Sequence, residues 1–252
     1  MQVRQIVHKT CFTPFWLVTA CAALLGGCGP LPASINPQGE AAAQIAVLWW
    51  VTFALGTLIW VGFTALLLAG LFRRRRAPEP YVPLPEQEHA QAVRRWVLGA
   101  GVAMPTVVLV ALVALTVWTL RSIPSANPSG GLVVEVTGHQ WWWEVHYPEQ
   151  GVILQNEVRI PAGQPVEVRL SSADVIHSFW VPELHGKFDL TPGRTHTFVL
   201  QAGQPGTYRG RCAEFCGRLH ARMTFHVIVM ELEEFTAWLS AQHRSIVVPD
   251  RP

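Results

Sequence analysis

The chain has 252 residues, of which 50% are hydrophobic and only 14% charged. Soluble domains carry about 25% charged residues, which argues against an entirely water-soluble protein and for membrane segments. The formal net charge of +2 is small, and the five cysteines (Cys11, Cys21, Cys28, Cys212 and Cys216) form no pattern of a disulfide-stapled mini-protein.

The N-terminus opens with Arg4 and Lys9 and continues into a short apolar run that contains Pro14. That run is too short to span a bilayer and has the shape of a secretory signal. It closes on Leu25-Gly26-Gly27-Cys28, which resembles the lipobox of bacterial lipoproteins, where the cysteine is lipidated and becomes the first residue. The reading is a signal peptide over 1–27, lipidation at Cys28 and a short exported segment over 28–40. Ordinary cleavage at a nearby small residue, or an uncleaved anchor, is the alternative.

Two longer stretches carry no charge: 41–72, which runs into Arg73-Arg74-Arg75-Arg76, and 96–120, which is preceded by Arg94-Arg95 and followed by Arg121. Each exceeds the roughly 20 apolar residues that cross a bilayer as a helix, the form that satisfies its own backbone hydrogen bonds in lipid. Pro105 is expected to kink the second span or set its first turns. Trp49, Trp50, Trp96 and Trp118 suit helix ends at the headgroups, and Trp60 suits either that role or packing. Residues 73–95 hold six Arg against three Glu, which assigns this loop to the cytoplasm. A nucleic-acid patch is the rival reading of the four arginines, and their place flush against a span argues against it. The topology is a two-helix hairpin with everything from residue 121 to 252 outside.

From Gly131 onward the pattern becomes short β-rich runs: 132–137, 141–147, 157–160, 166–170, 195–200, 206–211 and 223–229, separated by Gly, Pro and Asn turns. Their length and spacing predict an antiparallel sandwich or barrel, closed by an amphipathic helix over 231–242. From Arg121 to the end there are 13 acidic against 11 basic residues, so the exported part is mildly acidic.

CAEFCGRLHARM, residues 212–223, gathers Cys212, Cys216, His220 and Met223. Two cysteines alone outside the cytoplasm would form a disulfide. With imidazole and thioether beside them they form a soft donor set suited to copper, whereas zinc sites use four Cys or His and no Met. One blue-copper centre uses a single thiolate, so two thiolates are one too many for it. Two sulfurs shared between two coppers resolve the surplus, and each metal then needs one imidazole. His177, in DVIHSFWVP (174–182), is the favoured second histidine, with His185, His196 and His226 as rivals.

Those two segments, together with GHQWWWEVHYP (138–148) and the hairpin, resemble subunit II of bacterial cytochrome c oxidase. The resemblance covers about residues 40–240 and implies a two-pass protein of the bacterial inner membrane. Its fold would be an all-β cupredoxin-like sandwich preceded by an α-helical transmembrane hairpin. It further implies a binuclear Cu-A centre in which Cys212 and Cys216 bridge both coppers. His177 and Met223 would complete one, and His220 and the carbonyl of Glu214 the other. The Glu214 side chain would reach a magnesium ion shared with subunit I, and subunit III would complete the assembly. Trp141 would be the electron entry ring for cytochrome c, with Asp174 and Trp142 at the docking surface. Oxygen reduction and proton translocation would occur in subunit I. One departure stands out: the family often has a glutamate shortly before the proline of the second span, and the corresponding position here is about Leu98. The rivals are a quinol oxidase subunit II, which lacks the copper ligands, nitrous oxide reductase, whose copper domain has a similar signature but which needs a large second catalytic domain, and a copper-delivery lipoprotein, which needs no paired spans. No C-x-x-C-H occurs, so the electron donor is a separate protein.

Overall fold

The computed structural model describes residues 35–76, 85–123 and 131–246. The predicted signal peptide and Cys28 lie outside the described residues. The first helix, α1, covers Glu40–Arg76. A second continuous helix comprises α2 (Glu86–Trp96), a π-helical stretch (Val97–Ala103) and α3 (Met104–Ser122). The loop expected over 73–95 is therefore helical in its second half. Pro105 has no N–H to donate, and just before it the helix widens, so that the Met104 N–H bonds back to the Gly99 carbonyl. Leu98 sits inside this widened stretch.

Both helices are 37 residues long in all. At 1.5 Å per residue that is about 55 Å, well beyond the roughly 30 Å of a bilayer's hydrocarbon core. The surplus is visible at the start of α1, where Ala41, Ala42 and Ala46 are buried against protein rather than lipid. The tryptophans mark the remaining length. Trp49 to Phe72 spans about 35 Å and Trp96 to Trp118 about 33 Å, and no residue in the most apolar window of either helix is buried.

The exported part folds into two five-stranded sheets. The strands are β1 (Val133–His139), β2 (Trp142–Tyr147), β3 (Val152–Gln155), β4 (Glu157–Pro161), β5 (Val166–Ser172), β6 (His177–Trp180), β7 (Phe188–Leu190), β8 (His196–Leu200), β9 (Gly206–Cys212) and β10 (Thr224–Met230). One sheet has the order β3-β2-β1-β5-β8 and the other β4-β10-β9-β6-β7. Alternation builds the core: Val134 and Val136 of β1, Trp143, Val145 and Tyr147 of β2, and Val166, Val168 and Leu170 of β5 all point inward. Outward residues pair on the sheet surface: Arg169 of β5 meets Glu135 of β1 across the sheet (3.6 Å) and Glu167 along its own strand (2.8 Å). The helix α4 (Leu232–Ile246) follows β10, with Phe235 buried. This is the expected helical hairpin followed by a cupredoxin-like sandwich.

The purely antiparallel arrangement expected from the strand spacing is corrected by two parallel pairs, β1 with β5 and β4 with β10. Each joins strands from distant parts of the chain, and strand spacing alone carries no information about such partners. Tyr147 fastens β2 to β4, since its hydroxyl accepts from the Arg159 N–H (2.7 Å) and donates to the Arg159 carbonyl (2.8 Å).

A main-chain clamp joins the sandwich to α1. The N–H groups of Gln38 and Gly39 bond to the Glu183 carbonyl (2.7 and 3.1 Å), and the Gly203 N–H bonds to the Gln38 carbonyl (3.1 Å). The backbones approach so closely that a Cβ on Gly39 would lie 2.4 Å from the Leu184 carbonyl oxygen.

Candidate metal centre

The ligand loop hangs from the neck between β9 and β10. The Cys212 N–H bonds to the Met223 carbonyl (2.9 Å), so the first and last soft donors are fixed side by side by the ladder itself. Between them the Ala213 N–H is held by the Ser178 carbonyl of β6 (3.0 Å). Gly217, at φ +115°, reverses the chain in a conformation that favours glycine. The short 3₁₀ turn His220–Arg222 then brings His220 back toward Cys216. β6 pairs with β9 beside Cys212, and its first residue is His177.

The donor atoms converge. Cys212 Sγ lies 3.7 Å from Cys216 Sγ, 3.9 Å from His177 Nδ1 and 3.2 Å from the Glu214 carbonyl oxygen. Cys216 Sγ lies 3.5 Å from His220 Nδ1 and 3.7 Å from Met223 Sδ. Metal–thiolate bonds are about 2.3 Å and metal–imidazole bonds about 2.0 Å, so donors at these separations are within reach of common metal ions. Both cysteines are free and buried. His177, Cys212 and Cys216 form the one cluster of potential His, Cys or carboxylate ligands found among the described residues, and Met223 is also buried. The three rival histidines are elsewhere. His185 packs between Phe188 and Phe198, while His196 and His226 face solvent.

Electrostatics prepare the sulfurs unequally. Burial works to raise the Cys212 thiol, but hydrogen bonds from His177 and the neighbouring backbone hold it down to about 6. Burial and the negative charge on Cys212 push Cys216 up to about 12. The two titrate as a pair in which the first thiolate forms readily and the second waits for a cation.

Around the donors stands a supporting layer. Asp174 Oδ1 lies 2.8 Å from His177 Nε2 and accepts from the Val175 N–H, while Oδ2 accepts from the Gln140 N–H (2.7 Å). Burial alone would raise the Asp174 carboxyl, and these hydrogen bonds, that of His177 foremost, bring it below the usual carboxylate range. A proton on His177 Nε2 leaves Nδ1, the atom that faces the sulfurs, free to bind metal. Gln140 Nε2 and Trp141 Nε1 both donate to the Cys216 carbonyl (2.7 and 3.2 Å). Trp141 is half-buried over the loop. Trp143 is fully buried in the core beside His177 and Phe225, and Trp142 stacks on His139 on the other side. Trp141 thus lies in the turn before β2 rather than in a strand.

Glu214 turns its carboxylate outward, 3.6 Å from Lys187 Nζ, which also pairs with Asp189 (2.9 Å). Gly186, next to Lys187, packs under Ile45 of α1, which links this side of the loop to the membrane hairpin. Gln140, Gly138 and Lys187 were not singled out by sequence reading. Gln140 adjoins Trp141, but nothing in the sequence marks the other two as neighbours of the ligands.

The chain is similar in sequence to known proteins. The family described as cytochrome c oxidase subunit II, periplasmic domain, matches residues 150–232. Cytochrome c oxidase subunit 2 of Alkalihalophilus pseudofirmus is 31% identical over 226 residues, covering 86% of this chain and 64% of that protein. Quinol oxidase subunit 2 of Bacillus cereus is 32% identical over 237 residues, covering 89% of this chain and 79% of that protein. The chain belongs to the family of cytochrome c oxidase subunit II. Among solved structures, the periplasmic domain of subunit II of the Bradyrhizobium japonicum cytochrome oxidase aligns with 29% identity and a TM-score of 0.44, over 49% of this chain and 98% of that one. As a subunit II, the chain is a two-pass inner-membrane protein with its β-domain on the outer side. His177, Cys212 and Cys216 are compatible with the copper site of this family.

Proposed function

We propose that the β-domain holds a binuclear copper centre that takes electrons from a cytochrome c and passes them to haem in the large partner subunit. The observation that carries this reading is the pair of free sulfurs 3.7 Å apart, each with its own imidazole at 3.9 or 3.5 Å and with Met223 beside the second. Thiolate, thioether and imidazole together select copper over zinc or magnesium. When bound, the copper pair supplies one-electron storage with little change in bonding, because the charge spreads over both metals and both sulfurs. The chain supplies the rest. Cys212 and Cys216 would hold both metals, His177 and Met223 would serve one, and His220 and the Glu214 carbonyl would serve the other. Asp174 fixes the His177 tautomer, and the neck between Cys212 and Met223 keeps the donors from moving when the charge changes. Trp141, bonded to the Cys216 carbonyl, is the entry ring, and Asp174 and Trp142 belong to the docking face. The Glu214 carboxylate would contribute one ligand to a magnesium ion, and subunit I would supply the others.

The domain performs no bond chemistry. Oxygen reduction and proton translocation take place in the partner subunit, subunit III completes the assembly, and Cys28 adds a lipid anchor. The identity to the Bacillus cereus quinol oxidase subunit favours a second reading, electron entry from a quinol. The complete soft donor set argues for the first, since a quinol donor needs no metal in this domain. Stopped-flow mixing of the copper-loaded full chain with reduced cytochrome c or with quinol tests both. The account expects rapid oxidation of the cytochrome, slowed at least tenfold by Trp141→Phe at unchanged copper content. Electron uptake from quinol alone would select the second reading.

A further inference from the structure

The cytoplasmic end of the hairpin carries a basic shelf that electron transfer leaves unused. At their outer ends the two long helices are tied together. Gln44 Nε2 donates to the Ser122 carbonyl (3.4 Å), and the Ser122 hydroxyl donates to Gln44 Oε1. From that tie, α1 descends about 44 Å to reach Arg73, and the second helix descends about 40 Å to reach Arg95. Two arginine clusters separated by some twenty residues of sequence thus arrive at the same depth, to within about one helical turn. Phe72 and Trp96, both exposed, are the last apolar residues above each cluster, so the guanidinium groups stand at the headgroup level.

The side chains of Arg73, Arg74, Arg75, Arg94 and Arg95 are exposed, and none pairs with a carboxylate among the described residues. The acids on the same helix, Glu88 and Glu86, lie about 9 and 12 Å farther from the membrane than Arg94. Topology requires an excess of positive charge in this loop, but it does not require two clusters at one depth that pair with no carboxylate among the described residues.

We propose that this shelf binds the phosphodiester groups of anionic lipids in the cytoplasmic leaflet. Guanidinium is a planar donor that meets phosphate oxygens two at a time, and it binds phosphate strongly at the edge of a low-dielectric region. Each basic residue at such a surface contributes about fivefold in affinity for anionic lipid. The ligand is therefore an anionic phospholipid whose acyl chains lie along the exposed apolar faces of the hairpin near Phe72 and Trp96.

The test uses the purified full chain in neutral detergent, titrated with phosphatidylglycerol, phosphatidylcholine or inorganic phosphate, with bound lipid counted by native mass spectrometry. Removing all four arginines of α1 would also remove the topology signal, so the main variant is R94Q/R95Q, which leaves them in place. Phosphatidylglycerol should bind in preference to phosphatidylcholine, with affinity reduced about 25-fold in R94Q/R95Q and largely kept in R94K/R95K. Circular dichroism that matches the parent shows the variant is folded, and a variant that fails to fold is replaced by the single substitutions R94Q and R95Q, each expected to lose about fivefold. Equal binding of the two lipids, or full affinity in the glutamine variants, would overturn the proposal. So would displacement of the lipid by millimolar phosphate beyond that caused by chloride at equal ionic strength, which would mark a free-phosphate site instead.

Discussion

Gly138 lies directly against a proposed metal ligand, and adding a single methyl group there probes the rigidity of the centre. A Cβ at this position would sit 2.9 Å from His177 Cδ2, 3.1 Å from Cγ and 3.3 Å from Cβ. The histidine has nowhere to retreat. It is completely buried, its Nε2 lies 2.8 Å from Asp174, and Trp143 packs beside it with ring centroids 6.0 Å apart. Gly→Ala at an unstrained site stabilises a protein by about 0.4–1 kcal/mol, because the unfolded chain loses freedom. Forcing an extra carbon into a packed core costs about 1–3 kcal/mol. The clash outweighs the entropic gain, so Gly138→Ala should lose about 1–2 kcal/mol net. Gly131→Ala is the matched control, since its Cβ would meet only the Pro165 carbonyl oxygen at 3.5 Å, an ordinary contact. Denaturant unfolding of the metal-free full chain in detergent, followed through near-ultraviolet circular dichroism, compares the two. The copper-loaded Gly138→Ala protein should also show a shifted visible spectrum, because the His177 ring must turn. A neutral or stabilising Gly138→Ala, with an unchanged spectrum, would show that His177 is not wedged in place and refute the reasoning.

Asp174→Asn weakens the acceptor that fixes the His177 tautomer, so copper affinity should fall about 10–100-fold, measured by competition with a chelator. Tyr147→Phe leaves the N–H and carbonyl of Arg159 without the hydroxyl that serves both, and should cost about 2 kcal/mol in denaturant unfolding. Burial lowers the His185 imidazole below its ordinary value near 6.5. Below about pH 6.5 the unfolded chain takes a proton there that the folded chain does not, so stability is intact above that value and declines as pH falls from it toward the lowered folded value. His185→Phe, which suits a site beside Phe188 and Phe198, should flatten that acid limb of the melting temperature against pH.

Much of the site was legible because its chemistry is local. Cys212, Cys216, His220 and Met223 fall within twelve residues, and the surplus thiolate by itself called for a second metal and a second imidazole. Choosing His177 over His185, His196 and His226 needed the family resemblance or the fold, since pairing of β6 with β9 is what brings it to Cys212. Longer-range structure was less legible. β7 has only three residues and β3 leaves Ile153 exposed, so neither showed the alternation of a buried strand. The parallel pairs escaped for the same reason that Gly138 and Lys187 did, because each depends on partners set by topology rather than by neighbours in sequence. The charge-free stretch 41–72 gave the span but not its division, in which Ala41, Ala42 and Ala46 in the first turns of α1 are buried and the part from Trp49 onward has no buried residue.

The central claim is that Cys212 and Cys216 hold two copper ions between them, and electron paramagnetic resonance of the copper-loaded full chain tests it most directly. The account predicts one unpaired electron coupled equally to two copper nuclei, with two coppers per chain by metal analysis and loss of the signal in Cys216→Ser. A spectrum of a single isolated copper, or a protein that takes up one copper per chain and keeps its spectrum in Cys216→Ser, would contradict it.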